Sequence, residues 1–130
     1  MMIDEYDKNL LMATQEGSLD GIDVAAISNQ IDALINEADN ILKAFIPVGY
    51  DTMHNPVVYQ EEKLIESEIE WSKKALNVLR NIFNSDKSHI YNRFFYTIGD
   101  HTYGGYMEYR DILTKKKEIL ATFKNDLLTL

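Results

Sequence analysis

The stretch VAAISNQIDALINEADNILKAF, residues 24–45, decides the fold class of this chain. Its apolar residues recur every three or four positions, which is the period of one face of an α-helix. Pro47 follows closely, and a proline disfavours helical geometry at the residue before it. Ser18 or Asp20 can cap the start of the helix, with Asp23 near its positive end. The stretch therefore predicts one long amphipathic helix whose apolar face must pack against other elements.

Four more helical segments are predicted around this one from the same periodicity. They cover residues 3–15, about 57–84, from a cap at Ser85, Asp86 or Ser88 to about Ile98, and about 106–128. Asn55 and Pro56 are the expected cap and first turn of the third helix. No alternating run lies between hairpin turns, so no sheet is expected. The sequence thus predicts an all-α fold, a compact antiparallel bundle of four to five helices that forms a single domain over residues 1–130.

The composition excludes several classes of protein. The chain has 130 residues and no cysteine, which excludes a disulfide scaffold, a thiolate zinc site and a cysteine nucleophile. The first residues, MMIDEYDKNLLMATQEG, are acidic and do not have the pattern of a secretory signal. No run of apolar residues is long enough to span a bilayer. We therefore expect a cytoplasmic protein without a membrane partner.

The net charge of −8 is divided unevenly along the chain. Residues 1–70 carry 15 acidic and 3 basic side chains (−12), whereas residues 71–130 carry 6 acidic and 10 basic ones (+4). An acidic half repels phosphate backbones, so no direct binding to nucleic acid is expected. Either the two halves pack together and neutralise each other, or an acidic face meets a basic partner or mimics nucleic acid. The charged residues expected on exposed helix faces include Glu61, Glu62, Glu66, Glu68, Glu70 and most of Lys115–Lys117.

The stretch RFFYTIGDHTYGGYMEYRD, residues 93–111, is rich in aromatic side chains. Its simplest interpretation is a corner between two helices, with Gly99 as a left-handed C-cap residue and the aromatic rings packed on the bundle. The alternative is a binding surface, because tyrosine and arginine are favoured at interface hot spots. The predicted contact residues are Tyr96, Tyr103, Tyr106, Tyr109 and Arg110, with Glu66 and Glu70 as a charged rim.

Catalytic and metal-binding patterns are weak in this chain. A helical RNase of the HEPN class needs an arginine and a histidine a few positions apart on one helix, and neither Arg93–His101 nor Arg80–His89 has this spacing. Asp51–His54 and Asp86–His89 are Asp-x-x-His pairs, but both fall in predicted loops or caps. A di-metal bundle needs Glu-x-x-His motifs, which the sequence lacks. We predict no catalytic residues, no metal ligands and no cofactor.

A pattern of apolar and polar residues runs through about residues 59–128. Its members are Trp71, Ala75, Leu79, Ile82, Phe83, Ser88, Tyr91, Phe94 or Phe95, Ile112, Leu113, Leu120, Lys124, Asp126 and Leu127. This pattern resembles the small helical modules that precede TIR-like and other effector domains in prokaryotic defence proteins. It departs from them after Phe83 and before Leu127, where those modules have glycine. The resemblance implies an interaction or sensing module and not a catalyst. With no effector domain following, a free-standing copy is expected to act as an adaptor, an antitoxin-like partner or an inhibitor of a defence complex.

These observations favour a non-enzymatic helical protein that binds another protein, as an adaptor or an inhibitor in phage defence or counter-defence. An acidic inhibitor that mimics nucleic acid is the first alternative, and a HEPN-like RNase or a metal-dependent enzyme is the second. The apolar stripes of the helices can be completed within one chain or across a homodimer, because periodicity does not distinguish the two arrangements.

Overall fold

Five helices and one small sheet make up the described part of the chain. The computed structural model describes residues 3–14, 23–45, 49–54, 56–57, 61–100 and 105–130. The helices are α1 (Glu5–Thr14), α2 (Val24–Ala44), α3 (Glu61–Phe83), α4 (His89–Phe95) and α5 (Gly105–Leu127). The strands are β1 (Gly49–Tyr50) and β2 (Pro56–Val57). The helices pack against one another, so the predicted all-α bundle is confirmed.

The connection between α2 and α3 contains one short strand pair that the sequence does not predict. β1 and β2 are antiparallel, with Gly49 opposite Val57 and Tyr50 opposite Pro56. Each strand has only 2 residues, too few for the alternation that identifies a strand in a sequence. Pro56 therefore lies in β2 and not in the first turn of α3, and proline is tolerated at such a sheet edge. Asn55, its predicted cap, lies outside the described residues.

Asp23 precedes α2 as its N-cap residue. Its carboxylate accepts a hydrogen bond from the backbone N–H of Ala26 at 2.9 Å, which satisfies one of the amide groups that the first helical turn leaves without a partner. The predicted caps Ser18 and Asp20 are therefore too early, and both lie outside the described residues. Because aspartate is among the best N-cap residues, α2 begins directly after Asp23.

α2 contacts both α3 and α5 and runs antiparallel to each of them. The ion pairs that join these helices are Lys124–Asp32 and Lys117–Asp39 between α5 and α2, and Lys74–Glu37 between α3 and α2. Leu64 near the start of α3 lines the same groove as Ala44 at the end of α2, which gives the antiparallel direction. α3 and α5 consequently run in the same direction, and Phe83 packs on Phe123 near their ends, with ring centroids 5.5 Å apart.

Apolar side chains from all the helices form the core. Its largest fully buried members are Trp71, Phe45, Phe83, Phe94, Phe123, Leu11, Ile31, Leu79, Ile90, Leu113, Leu120 and Leu127. Each side chain of this size contributes about 1.5–3 kcal/mol when it leaves water. Trp71 is held in one orientation because its indole N–H donates a hydrogen bond to the carbonyl of Leu34 at 2.9 Å.

α4 is shorter than predicted, since it ends at Phe95 and residues 97–100 then run along α5. The backbone N–H at the end of this segment donates a hydrogen bond to the carboxylate of Asp111 at 2.8 Å. Gly99 is not the predicted left-handed C-cap residue, because its φ is not positive. A Cβ at this position would lie 2.4 Å from the carbonyl oxygen of Glu108. Glycine is therefore needed here for the close approach of two backbone segments.

Candidate functional site

Three exposed apolar side chains follow closely in the sequence at the end of α4. Phe95, Tyr96 and Ile98 are 53%, 71% and 68% exposed, and we call these three residues the α4 surface. The inner side of the helix, with Ile90 and Phe94, is buried in the core. A single short helix cannot bury both of its sides against one bundle, so the outer side stays in water. Contiguous exposed apolar residues are a feature of interaction sites.

The aromatic rings of the α4 surface are held in a fixed arrangement. Phe95 stacks on Tyr91 with an interplanar angle of 13°, and it meets the edge of Tyr96 with ring centroids 4.9 Å apart. The Tyr91 hydroxyl accepts a hydrogen bond from Arg80 Nη2 at 3.1 Å, and the guanidinium also lies over the same ring. Side chains that are already packed lose little conformational entropy when a partner binds. The α4 surface is therefore preorganised for a contact.

A groove of about 450 Å³ lies beside the α4 surface, between the end of α4 and α5. Ile98 and Ile119 supply its apolar lining, while Arg93, Lys115 and a glutamate supply its charged lining. Lys115 is bound to the carboxylate of Asp111 at 2.9 Å. Arg93, by contrast, is exposed and forms no ion pair with any described residue. The groove thus combines apolar walls with one arginine that is free to bind a partner.

The structure separates the aromatic residues that the sequence predicts as a contact surface. Tyr96 and Arg110 are exposed, as a contact surface requires. Tyr106 is buried in the core, where burial also raises the pKa of its hydroxyl, and this corrects its assignment to a contact surface. Tyr109 is half-buried and packs against the core. Tyr103 lies outside the described residues.

The two glutamates predicted as a charged rim lie on α3. Glu66 and Glu70 are both exposed on α3. Glu70 lines a groove between α2 and α3, whereas the α4 surface adjoins the groove between α4 and α5. Glu70 therefore does not line the groove beside the α4 surface. Periodicity could not show this, because it assigns a residue to a face of its helix but not to a particular neighbour.

A charged cluster that the sequence does not reveal is buried between α3 and α5. Glu68 and Lys116, both expected on exposed faces, are buried. The Ser72 hydroxyl joins them, since it donates to Glu68 Oε1 at 2.7 Å and accepts from Lys116 Nζ at 3.0 Å. The two charged groups are 3.9 Å apart, and the ammonium lies 5.0 Å from the centre of the Phe94 ring. Burial raises the pKa of Glu68 and lowers the pKa of Lys116, because a low dielectric disfavours both charges.

Asp4, Asp7 and His89 form a second polar cluster, at the junction of α1 and α4. One ligand atom from each lies within 4.8 Å of the others, a spacing that can hold a metal ion. Asp7 is buried, however, and its carboxylate accepts hydrogen bonds from the backbone N–H groups of His89 and Ile90 at 2.6 and 3.0 Å. His89 binds Asp4 through Nδ1 and stacks on the Tyr6 ring. These contacts cap α4 and attach α1 to it, so the cluster already has a structural role.

Comparison with family models, with curated proteins and with solved structures finds no match for this chain. The resemblance to defence-associated helical modules therefore stays a prediction. Trp71, Leu79 and Phe94, three of the residues that carry it, are buried, so they specify packing and not a shared contact surface.

Among the described residues, no helix has both the length and the apolar character needed to cross a bilayer.

Proposed function

We propose that this protein is a non-enzymatic helical module that binds another protein through the α4 surface. The observation that carries the proposal is the exposure of Phe95, Tyr96 and Ile98 next to a groove. A partner that covers such side chains gains roughly 25 cal/mol for each Å² of apolar surface removed from water. Tyrosine and arginine are enriched among the residues that dominate binding energy, and Tyr96 and Arg93 supply both types here.

The groove beside the α4 surface indicates the chemistry of the partner. Ile98 and Ile119 can contact an apolar side chain of the partner. Arg93 can donate paired hydrogen bonds from its planar guanidinium to a carboxylate or to backbone carbonyls. Because Arg93 has no ion pair with any described residue, such a contact would not break an existing one. A segment with an apolar anchor next to an acidic or carbonyl group fits this surface.

The polar clusters support binding over catalysis, because they hold helices together. A catalytic acid or base needs a position from which it can exchange a proton with substrate. Glu68 and Lys116 are instead buried in the interface of α3 and α5. Arg80 and His89, whose spacing in the sequence does not fit an RNase pair, also have separate partners, since Arg80 binds a tyrosine hydroxyl and His89 binds the aspartate that precedes α1.

The resemblance to defence-associated modules gives the proposal a biological setting. A module of this kind would act either as an adaptor that joins two proteins or as an inhibitor that covers the contact surface of a defence complex. Both roles require a partner on the α4 surface. They differ in whether that partner remains active when it is bound, which an activity assay of the isolated complex would decide.

The alternative function, an acidic inhibitor that mimics nucleic acid, has less support than the sequence indicated. Glu68 is buried, and Glu61 Oε1 accepts a hydrogen bond from the backbone N–H of Tyr106 at 2.9 Å. Both carboxylates therefore take part in the fold. The other glutamates in the first half of α3 are exposed, but they form a short array on one helix. A mimic of nucleic acid needs charges that continue at the spacing of phosphates.

The test compares two tyrosines of equal exposure. Tyr96 and Tyr50 are each 71% exposed, but only Tyr96 belongs to the α4 surface. Tagged wild-type protein, Tyr96→Ala and Tyr50→Ala are isolated gently from the native host and studied by native mass spectrometry. We expect the wild type and Tyr50→Ala to carry the same second protein and Tyr96→Ala to lose it, with melting temperatures unchanged. Retention of that complex by Tyr96→Ala would refute the proposal.

A further inference from the structure

A second groove, between the end of α2 and the start of α3, has a different chemistry. Its volume is about 440 Å³, within the range of ligand-binding clefts. Its apolar lining includes Ile41, Leu64 and Trp71, and its charged lining consists of Glu37, Glu70 and Lys74. We call it the acidic groove.

Negative charge dominates the acidic groove, because its one lysine is already paired. Lys74 Nζ lies 2.9 Å from Glu37 Oε2 in an exposed ion pair. Glu70 is exposed and forms no ion pair with any described residue. Glu66 lies one helical turn before it and is also exposed without such a pair. An apolar lining therefore adjoins carboxylates that can bind a cation.

Ion pairs compensate two acidic residues of α2 elsewhere in the bundle. Asp32 and Asp39 of α2 are bound by Lys124 and Lys117 of α5, so these acidic residues are compensated. The exposed glutamates in the first half of α3 have no corresponding lysine partner among the described residues. With a formal net charge of −8, the whole chain attracts a basic segment at long range.

We propose that the acidic groove binds a basic amphipathic segment of a partner protein, in which an apolar side chain is flanked by lysine or arginine. Grooves between helices receive amphipathic helices in this way, with apolar anchors for affinity and edge charges for partner choice. Trp71 gives the groove a rigid wall, since its indole N–H is bound to the carbonyl of Leu34 at 2.9 Å. The acidic groove shares no lining residue with the groove beside the α4 surface, so this site does not depend on the function proposed above.

Trp71 also supplies the assay, because it is the single tryptophan of the chain. The probe is an alanine-rich helical peptide of roughly 14 residues, or four turns, with two leucines one turn apart and several lysines. A peptide with glutamates in place of the lysines is the matched control. We expect a saturable change in Trp71 fluorescence with the lysine peptide and none with the glutamate peptide. Raising the salt from about 50 to about 500 mM should weaken binding at least about tenfold.

Two double variants separate the acidic groove from the net charge of the chain. E66K/E70K and E5K/E118K each add 4 to the formal net charge of −8, but only the first alters this groove. We expect the Kd of the lysine peptide to rise at least about tenfold in E66K/E70K and less than about threefold in E5K/E118K. Melting curves show whether both variants stay folded.

Three outcomes would overturn the proposal. Equal losses in the two double variants would show diffuse attraction to an acidic protein. Equal affinity for the glutamate peptide would show that the groove does not select positive charge. Tight binding of the lysine peptide, measured by calorimetry, that E66K/E70K leaves unchanged would place the peptide elsewhere on the bundle.

Discussion

Replacing Lys116 with methionine tests the energetic role of the buried cluster between α3 and α5. Methionine keeps an unbranched apolar side chain but removes the ammonium. Glu68 would then stay buried with Ser72 as its hydrogen-bond partner. Removing one partner of a buried ion pair costs about 3–5 kcal/mol, because an uncompensated charge remains. This is a large share of the free energy of unfolding of a typical domain, which is about 5–15 kcal/mol.

The loss of stability in Lys116→Met should depend on pH. The pKa of Glu68 determines whether this loss grows or shrinks as the pH rises. Burial raises the pKa of this carboxyl and the ammonium of Lys116 partly lowers it, so the variant raises that pKa further. A group whose pKa rises on folding contributes stability that is present below its unfolded pKa, here about 4.5, and lost as the pH rises through the folded pKa. The free energy of unfolding that Lys116→Met loses should therefore be larger at about pH 8 than at about pH 5. This loss should change by at most about 1.4 kcal/mol per pH unit.

Urea titrations followed by circular dichroism give the free energies of unfolding for this comparison. Lys74→Met is the matched control, since Lys74 also pairs with a glutamate at 2.9 Å but in an exposed position. The control should cost less than about 1 kcal/mol. Adding Glu68→Gln to Lys116→Met removes the uncompensated charge and should recover part of the loss. A deficit below about 1 kcal/mol, or one that is the same at both pH values, would refute the reasoning.

Three further changes test particular contacts. Gly99→Ala should lower the free energy of unfolding by about 1–3 kcal/mol in urea titrations, because its Cβ would lie 2.4 Å from a carbonyl oxygen of α5. Gly49→Ala, whose Cβ meets nothing within 4 Å, is the control, and an equal loss there would contradict the steric explanation. Asp7→Ala should lower the free energy of unfolding by about 2–3 kcal/mol in the same assay, because two backbone N–H groups at the start of α4 lose a charged acceptor. Unchanged stability would show that these two hydrogen bonds are dispensable. By NMR titration, His89 should have a pKa above 6.5, because its hydrogen bond with Asp4 raises it, and Asp4→Asn should return that pKa towards 6.5. The stability that His89 contributes should be fully present below pH 6.5 and disappear as the pH rises through its folded pKa.

The long helices are predictable because each one has an apolar stripe with helical period. α2, α3 and α5 all lie close to their predicted positions. The errors occur where one residue type suits two local structures. Pro56 suits the first turn of a helix but also a sheet edge, and Gly99 suits a helix end but also a close backbone contact. The choice between these roles depends on tertiary contacts, which periodicity does not contain.

The candidate site is predictable only in part. The aromatic run indicates both Tyr96 and Tyr106, yet one is exposed and the other is buried, because the neighbours of each helix decide which aromatic face is covered. Glu68 and Lys116 are misassigned for a different reason, since charged residues are seldom fully buried. α3 contacts α1, α2, α4 and α5, so its buried arc is wider than its apolar stripe and includes a glutamate.

The position of the α4 surface depends on contacts from distant parts of the chain. α4 has only 7 residues, too few for a helix that is stable alone. Asp7 of α1 caps its first turn, Phe94 packs on Trp71 with ring centroids 5.8 Å apart, and Gly99 allows the next segment to lie against α5. Loss of any one contact would open α4 locally and displace its exposed rings, while α2, α3 and α5 keep their mutual interfaces. Under the proposed function, a change in α1 would therefore weaken partner binding without unfolding the bundle. Loss of binding identifies a contact residue only when the variant also leaves α4 in place, and the exposed Tyr96 is the position that best meets this condition.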